Sequence, residues 1–395
     1  MNVYNLFQSR KKQLFFLITC LLFLFINALF AYKYGIRQHK INIYVLEAVY
    51  LFFILFTSIA ILKIKLSDIF FKYLFFIGTI LFFIFTLILN YFVDGNTVIV
   101  DRWSAMTVGI EALFEGEYVY AARDHLNGRT SNLPGLILLG IPFYFIGSVG
   151  YLQSFTFLVF VYMLHNNLST YREKVFGLFL LVISCSYLWE IYCKSDMMSN
   201  FIVLLLFILW AYKNKLNTNQ NLLITSLLSA FFVLTRLVTV IPLSLLLVRK
   251  FFKLQVSRQL IFTFVFIVTA LLLLILVFKD YPSLEIVKLY NPIELQNRQL
   301  PIYLSVITII TPFLYAFKKQ TFEHFLASCI IFLSVPIFIS FIIKVVKGGM
   351  SGIIEHSFFD ISYFNILSPF LIFYIASNFS FLNHNLTTLK TKNSV

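Results

Sequence analysis

The residues best able to do chemistry in this chain are a few charged side chains set in an oily sequence. Asp101 is followed directly by Arg102, Asp94 lies shortly before them, and Asp196 shares a short turn with Lys194 and Ser195. A carboxylate on a loop docked against helices can take a proton from a hydroxyl as a general base. The same anion can hold a divalent ion that bridges to phosphate. Asp94 and Asp101 can equally be solvated loop charges or helix caps, and for Asp196 the plain alternative is an ion pair with Lys194. Arg236 interrupts an apolar run, where a guanidinium is costly and is retained for a partner. Its planar fork of donors suits a phosphate, and an acid on a neighbouring helix would serve it as well.

These groups need a scaffold, and composition says which kind. With 60% hydrophobic and 12% charged residues, the chain reads as an integral membrane protein. Apolar runs of about twenty residues recur, each long enough to cross a hydrocarbon core as a helix. The expected fold is therefore all-α, a polytopic bundle of about 12 crossings (range 10–13), not a barrel of alternating strands. Helices are predicted near 13–32, 43–62, 69–92, 149–165, 175–193, 197–212, 260–278, 300–317, 325–343 and 359–377. Arg10, Lys11 and Lys12 before the first run resemble a leader. The run is long and lacks an Ala-x-Ala end, which predicts an uncleaved first helix. Cys20, Cys185, Cys193 and Cys329 read as small core residues, and the six histidines are scattered. No phosphate-binding glycine loop or dinucleotide fingerprint is present.

Two apolar stretches do not fit a single crossing. Residues 133–165 are too long for one span, so 134–147 is predicted as an interfacial or re-entrant helix. Residues 222–248 carry Arg236 near the middle and Pro242 soon after. Reading them as a broken hairpin places 18 of the 31 basic residues against three acids on one side, with both termini there. The formal charge of +14 then resides on the cytoplasmic side and needs no nucleic-acid partner. Lys33, Arg37 and Lys40, on the opposite side, are the discordant feature.

The opposite side gathers four polar elements: loop 93–132, the turn at Lys194–Asp196, loop 279–299 and loop 344–358. The first holds six of the 17 acidic residues. It is predicted to run as a strand-like lead over 94–100, then an amphipathic helix over 104–115, then a turn at Gly116. Tyr118 and Tyr120 follow, and Tyr118 reads as part of an interfacial aromatic belt. His125 lies close by, and Pro134 opens the next helix. Lys279 and Arg298 bound the third element.

The order of these features resembles the polytopic glycosyltransferases of the GT-C superfamily, particularly bacterial mannosyltransferase-like members. The matching tracts are the outer acid Asp101, Gly116 to Tyr120, Asn132 to Pro142, and Lys194-Ser195-Asp196. Leu234-Thr235-Arg236 with Ile241-Pro242 and Asp360 to Pro369, which includes Tyr363, continue the pattern. Val119 and Gly135 replace prolines of that pattern, Ser362 replaces an arginine, and no D-x-D pair occurs. The resemblance implies inverting transfer of a sugar from a polyprenyl-phosphate donor to an extracytoplasmic glycan or lipid acceptor. Asp101 would be the general base, with Asp94 and Asp196 as second-acid or metal candidates. Arg236, Arg102, Lys194, Lys279 and Arg298 would contact phosphate or substrate. No cofactor is assigned, and a divalent metal is left open. The expected organisation is an extra helix pair over 1–68, a catalytic core over 69–377 and a cytoplasmic tail over 378–395, in the inner or plasma membrane. The expected partners are the lipid-linked sugar, its acceptor and membrane lipids. A transporter or flippase of lipid-linked saccharides, and a saccharide polymerase or ligase, are the rival readings.

Overall fold

The computed structural model describes residues 3–37, 42–214, 216 and 218–379, with side chains from Arg10 onward. The expected tail from 380 and the basic residues Lys40, Lys215, Lys390 and Lys392 lie outside the described residues. The described chain is helical. In order, its helices are α1 (Val3–Ile36), α2 (Ile43–Lys63), α3 (Asp68–Phe92), α4 (Arg102–Glu115), α5 (Pro134–Phe145) and α6 (Tyr151–Asn167). Next come α7 (Tyr171–Ile183), α8 (Cys185–Tyr192), α9 (Met197–Lys213), α10 (Asn219–Val233), α11 (Val240–Phe251) and α12 (Val256–Phe278). The last are α13 (Leu284–Leu289), α14 (Pro292–Asn297), α15 (Ile302–Tyr315), α16 (Phe322–Ile354) and α17 (Ser368–Ser377). Among the described residues no strand forms, and the strand-like lead expected at 94–100 is instead a short 3-10 turn, Gly95–Thr97. The Asp94 side chain caps that turn by accepting from the Asn96 amide, a local bond that outcompetes extended pairing.

Burial follows composition. Helices α9 and α17 are apolar on nearly every face and lie in the middle of the bundle, with Phe201, Leu204, Leu205, Phe370 and Leu371 fully buried. By contrast α2, α3, α12 and α15 turn Phe52, Ile77, Leu272 and Ile302 outward. Such apolar outer faces suggest a membrane protein. Five helices (α1, α2, α3, α12 and α16) are long and apolar enough to cross a membrane, and a sixth span results if α7 and α8 count as one. The other apolar helices are shorter, including α5, α9, α10, α15 and α17.

The single helix expected at 175–193 is broken. Between α7 and α8 the axis bends by 57° at Ser184. Asn27 of α1 satisfies the groups that the break frees: its Oδ1 accepts from Ser184 Oγ at 2.8 Å and from the Ser186 amide at 3.1 Å. A buried break is tolerated when a neighbouring side chain supplies the lost bonds. Helix α16 overruns its expected end and changes direction at Gly349, whose φ of 69° is a left-handed conformation that glycine adopts without strain.

The chain from α10 to α11 returns to the end it left. Leu222 at the start of α10 packs in one cluster with Leu247 and Phe251 near the end of α11 and Phe262 near the start of α12. Arg236 sits at the far tip of this turn. The bundle therefore has two recognisable ends. One joins Lys12 to Glu323, Lys213 to Asn167 and Lys250 to the last carbonyls of α9. The other carries loop 93–132, the Lys194–Asp196 turn, Arg236, loop 279–299 and Asp360.

Loop 93–132 has a core of its own. Met106, Ile110 and Leu113 of α4 pack with Tyr118, Val119 and Tyr120, with Leu136 and Ile137 of α5, and with Val277 of α12. Gly116 ends α4 in the left-handed conformation, with φ of 74°. Tyr118 is buried near Tyr120 and Phe278 and does not join a surface belt.

Candidate active site

Asp196 begins α9 yet does not cap it. That work falls to Glu190 of α8, whose carboxylate accepts from the Met198 and Ser199 amides at 2.7 Å each, and from Asn365 at 3.0 Å. A carboxylate at a helix N-terminus meets both unpaired amides and the favourable end of the helix dipole. With its capping role taken, Asp196 faces the hairpin tip and forms an ion pair with Arg236, both side chains being almost wholly buried at 2% and 4% exposure. The partner is Arg236 and not Lys194, the plain alternative for Asp196. This pairing also gives Arg236 the neighbouring-helix acid that was one of its two expected partners. The pair is incompletely satisfied, since Asp196 Oδ1 and Arg236 Nε are buried without a partner.

A second pair lies alongside. Arg102, at the start of α4, reaches Asp360, and its guanidinium also donates to Ser362 Oγ at 3.3 Å. Ser362 is the position where the resemblance expected an arginine, and Arg102 brings a guanidinium there from loop 93–132. This pair is the more open of the two, with side chains 15% and 36% exposed. Arg102 is also within electrostatic reach of Asp196 and of Tyr363. Two arginines and two aspartates thus meet from four separate chain segments.

Asp101 adjoins this group through Arg102. It occupies the cap position of α4 without using its side chain as a cap, and no side chain donates to it among the described residues. Burial raises its pKa from the ordinary aspartate value; the Arg102 charge opposes this, and Asp124 and Asp360 reinforce it. Asp124 was not expected as a site residue. Its Oδ1 accepts from the Leu126 and Gly128 amides at 2.8 and 2.9 Å, while Oδ2 is buried without a partner. A Cβ on Gly128 would sit 2.5 Å from Asp124 Oδ2 and 3.3 Å from Asp101 Oδ2, so both carboxylates border the space that this glycine leaves open. His125 is a tether: its ring nitrogens meet Ser104 Oγ at 2.6 Å and the Val98 carbonyl at 3.0 Å, closing the loop over α4.

The segments are fastened together by backbone. Pro134 starts α5, and the Gly135 amide donates to the Leu234 carbonyl at 2.7 Å. A Cβ there would lie 2.5 Å from the Phe231 carbonyl oxygen, so only glycine permits this approach to the hairpin tip. Gln296 bridges the third element: it donates to the Ser131 carbonyl at 2.8 Å and accepts from the Leu237 amide at 2.9 Å.

The other expected residues scatter around this centre. Asp94 is an exposed turn cap. Lys194 takes a left-handed backbone, with φ of 51°, and burial lowers its pKa while Asp94 opposes the shift. Lys279 is exposed and faces Asp280 at 3.6 Å, and Arg298 is exposed. Tyr120 is a core side chain. Tyr363 does reach the centre. It lines an apolar cavity of about 140 Å³ with Val238, Ile241, Gln296, Ser340 and Leu237, the residue after Arg236 in the chain. Among the described residues no three His, Cys, Asp or Glu side chains gather in a way that could hold a metal ion.

Comparisons with protein-family models, with characterised proteins and with solved structures give no match.

Proposed function

We propose that the chain is a membrane-embedded glycosyltransferase of the GT-C kind, taking its sugar from a polyprenyl-phosphate donor. The observation that carries this reading is the convergence, at one end of the bundle, of an underused carboxylate (Asp101), two arginines and Tyr363, which lies in electrostatic reach of both arginines and lines an apolar cavity. An acceptor hydroxyl would give its proton to Asp101 as its oxygen attacks the anomeric carbon, with inversion. The bond to the lipid phosphate breaks, and the phosphate leaves as an anion. Arg102 is the more accessible guanidinium and would meet that charge first. Arg236, with Nε unpartnered, holds the floor of the site in place and would be the second contact. An apolar cavity beside arginine donors suits a donor with a charged head and a hydrocarbon tail.

The same reading places about twelve crossings in the inner or plasma membrane, termini in the cytoplasm and the site end outside, on the strength of the basic bias at the opposite end. The test is transfer of a labelled sugar from a polyprenyl-phosphate donor in liposomes holding the purified protein. New glycosidic product from the native protein and none from Asp101→Asn is the expected result. Movement of the donor across the bilayer without a new bond would replace this reading with that of a flippase.

A further inference from the structure

The end of the bundle opposite the candidate site holds a second built feature. A cavity of about 360 Å³ opens between the end of α11 and the α15–α16 connection. Arg249, Lys250, Lys253, Lys318 and Lys319 line it, together with Gln320, and none of its lining residues is acidic. Five like charges around one small space repel one another unless an anion joins them. Two further observations concern the polar groups of this space. Both side-chain polar atoms of Gln320 are buried without a partner. Lys250 is held inward by the Ala211 carbonyl at 2.5 Å, so its ammonium does not swing out into solvent.

On the other face of α11 lies an apolar cavity of about 290 Å³, lined by Leu247, Phe251, Phe252, Phe262, Phe266 and Phe313. Their rims meet at a ring contact: Phe252, which lines the apolar cavity, packs on Phe317 at 5.4 Å, and these two residues adjoin Lys253 and Lys318 of the basic one in the chain. A cationic hollow that meets an aromatic groove at this ring contact matches one kind of molecule, an anion carrying an acyl chain. We propose that this end of the bundle binds an anionic glycerophospholipid, its phosphate among the five cations and the Gln320 amide, its acyl chain along Phe252 and Phe313. Basic pockets between helices are a recurrent seat for such headgroups. Nothing in this proposal depends on sugar transfer.

The experiment uses the full-length protein in detergent, with bound lipid counted by native mass spectrometry. Phosphatidylglycerol is expected to bind in preference to phosphatidylcholine. The double variant Lys253→Ala/Lys319→Ala should weaken phosphatidylglycerol binding by about fivefold per cation removed. Lys63→Ala/Lys65→Ala, at the same end but outside the cavity, should leave it unchanged. Phe252→Ala/Phe313→Ala should weaken phosphatidylglycerol while leaving inorganic phosphate, measured by its protection against thermal unfolding, unaffected. Equal binding of the two lipids, or an equal loss in the Lys63/Lys65 control, would overturn the proposal. Full competition by inorganic phosphate at concentrations matching the lipid would overturn the acyl-chain half and leave a simple anion site.

Discussion

At the basic end of the bundle, apart from the Lys12–Glu323 pair, the bonded cations meet neutral oxygen. Lys213 bonds the Asn167 side chain, Arg172 the Ile64 carbonyl at 2.6 Å, and Lys250 the last carbonyls of α9. Positive groups there complement helix C-termini and keep their charge available to whatever lies outside. At the site end, Arg102 and Arg236 meet carboxylates, so their charge is largely neutralised within the protein. The first arrangement collects net charge and suits an electrostatic surface. The second conceals charge in a poorly solvated place, where each group stays only because its partner does.

That contrast can be broken or sharpened by substitution. The largest effect is expected at Asp101. Asp101→Asn should lower transfer by roughly a hundredfold to ten-thousandfold, as loss of a general base does. Because burial raises the Asp101 pKa, the folded state holds that proton more tightly than the unfolded chain does. Its ionisation therefore costs stability as pH rises from the unfolded value through the folded one. Asp101→Asn removes that cost, so its thermal midpoint at neutral pH should match or exceed the native one. A parallel fall in stability would make Asp101 structural. In the native protein the acid limb of the transfer rate should lie above the pKa of an exposed aspartate, and a limb at or below it would contradict the buried-base reading.

Next comes the hidden pair. Arg236→Ala leaves Asp196 buried and unpaired and should destabilise by about 3–5 kcal/mol, read by unfolding in detergent. Arg102→Ala should cost clearly less, because Asp360 retains access to solvent. Equal losses would erase the distinction between the two pairs. Gly135→Ala should destabilise by about 1–3 kcal/mol through overpacking against the Phe231 carbonyl. The smallest effect belongs to the basic end: Glu323→Ala breaks a partly exposed pair with Lys12 and should change stability by about 0–1 kcal/mol.

Some features that look anomalous in the chain have local explanations in the fold. Lys33 and Arg37 depart from the charge bias, and the structure employs them at the end of α16. Lys33 donates to the Ile353 carbonyl at 2.9 Å and Arg37 to the Ile354 carbonyl at 3.5 Å. Helix α1, expected as half of an added pair, packs Phe23, Ile26 and Phe30 into the main core and supplies Asn27 to the α7–α8 break. That break was illegible in 171–192, because the residue that makes it tolerable comes from 157 positions away. Asp124 was passed over for a similar reason. Its approach to Asp101 exists only because the turn at Asn127 and Gly128 folds it back.

What the amino-acid order determined alone is the helical, apolar character of the chain, the interruption at Arg236 and the gathering of acids in loop 93–132. Hydrophobic length and helical geometry act locally, so they can be read locally. The pairing of charges was decided only in three dimensions. Asp196 had an obvious neighbour in Lys194, yet Glu190 took over the helix cap and the hairpin delivered Arg236 instead. Burial without solvent makes the choice of partner a matter of which groups are brought together, and sequence proximity does not govern that.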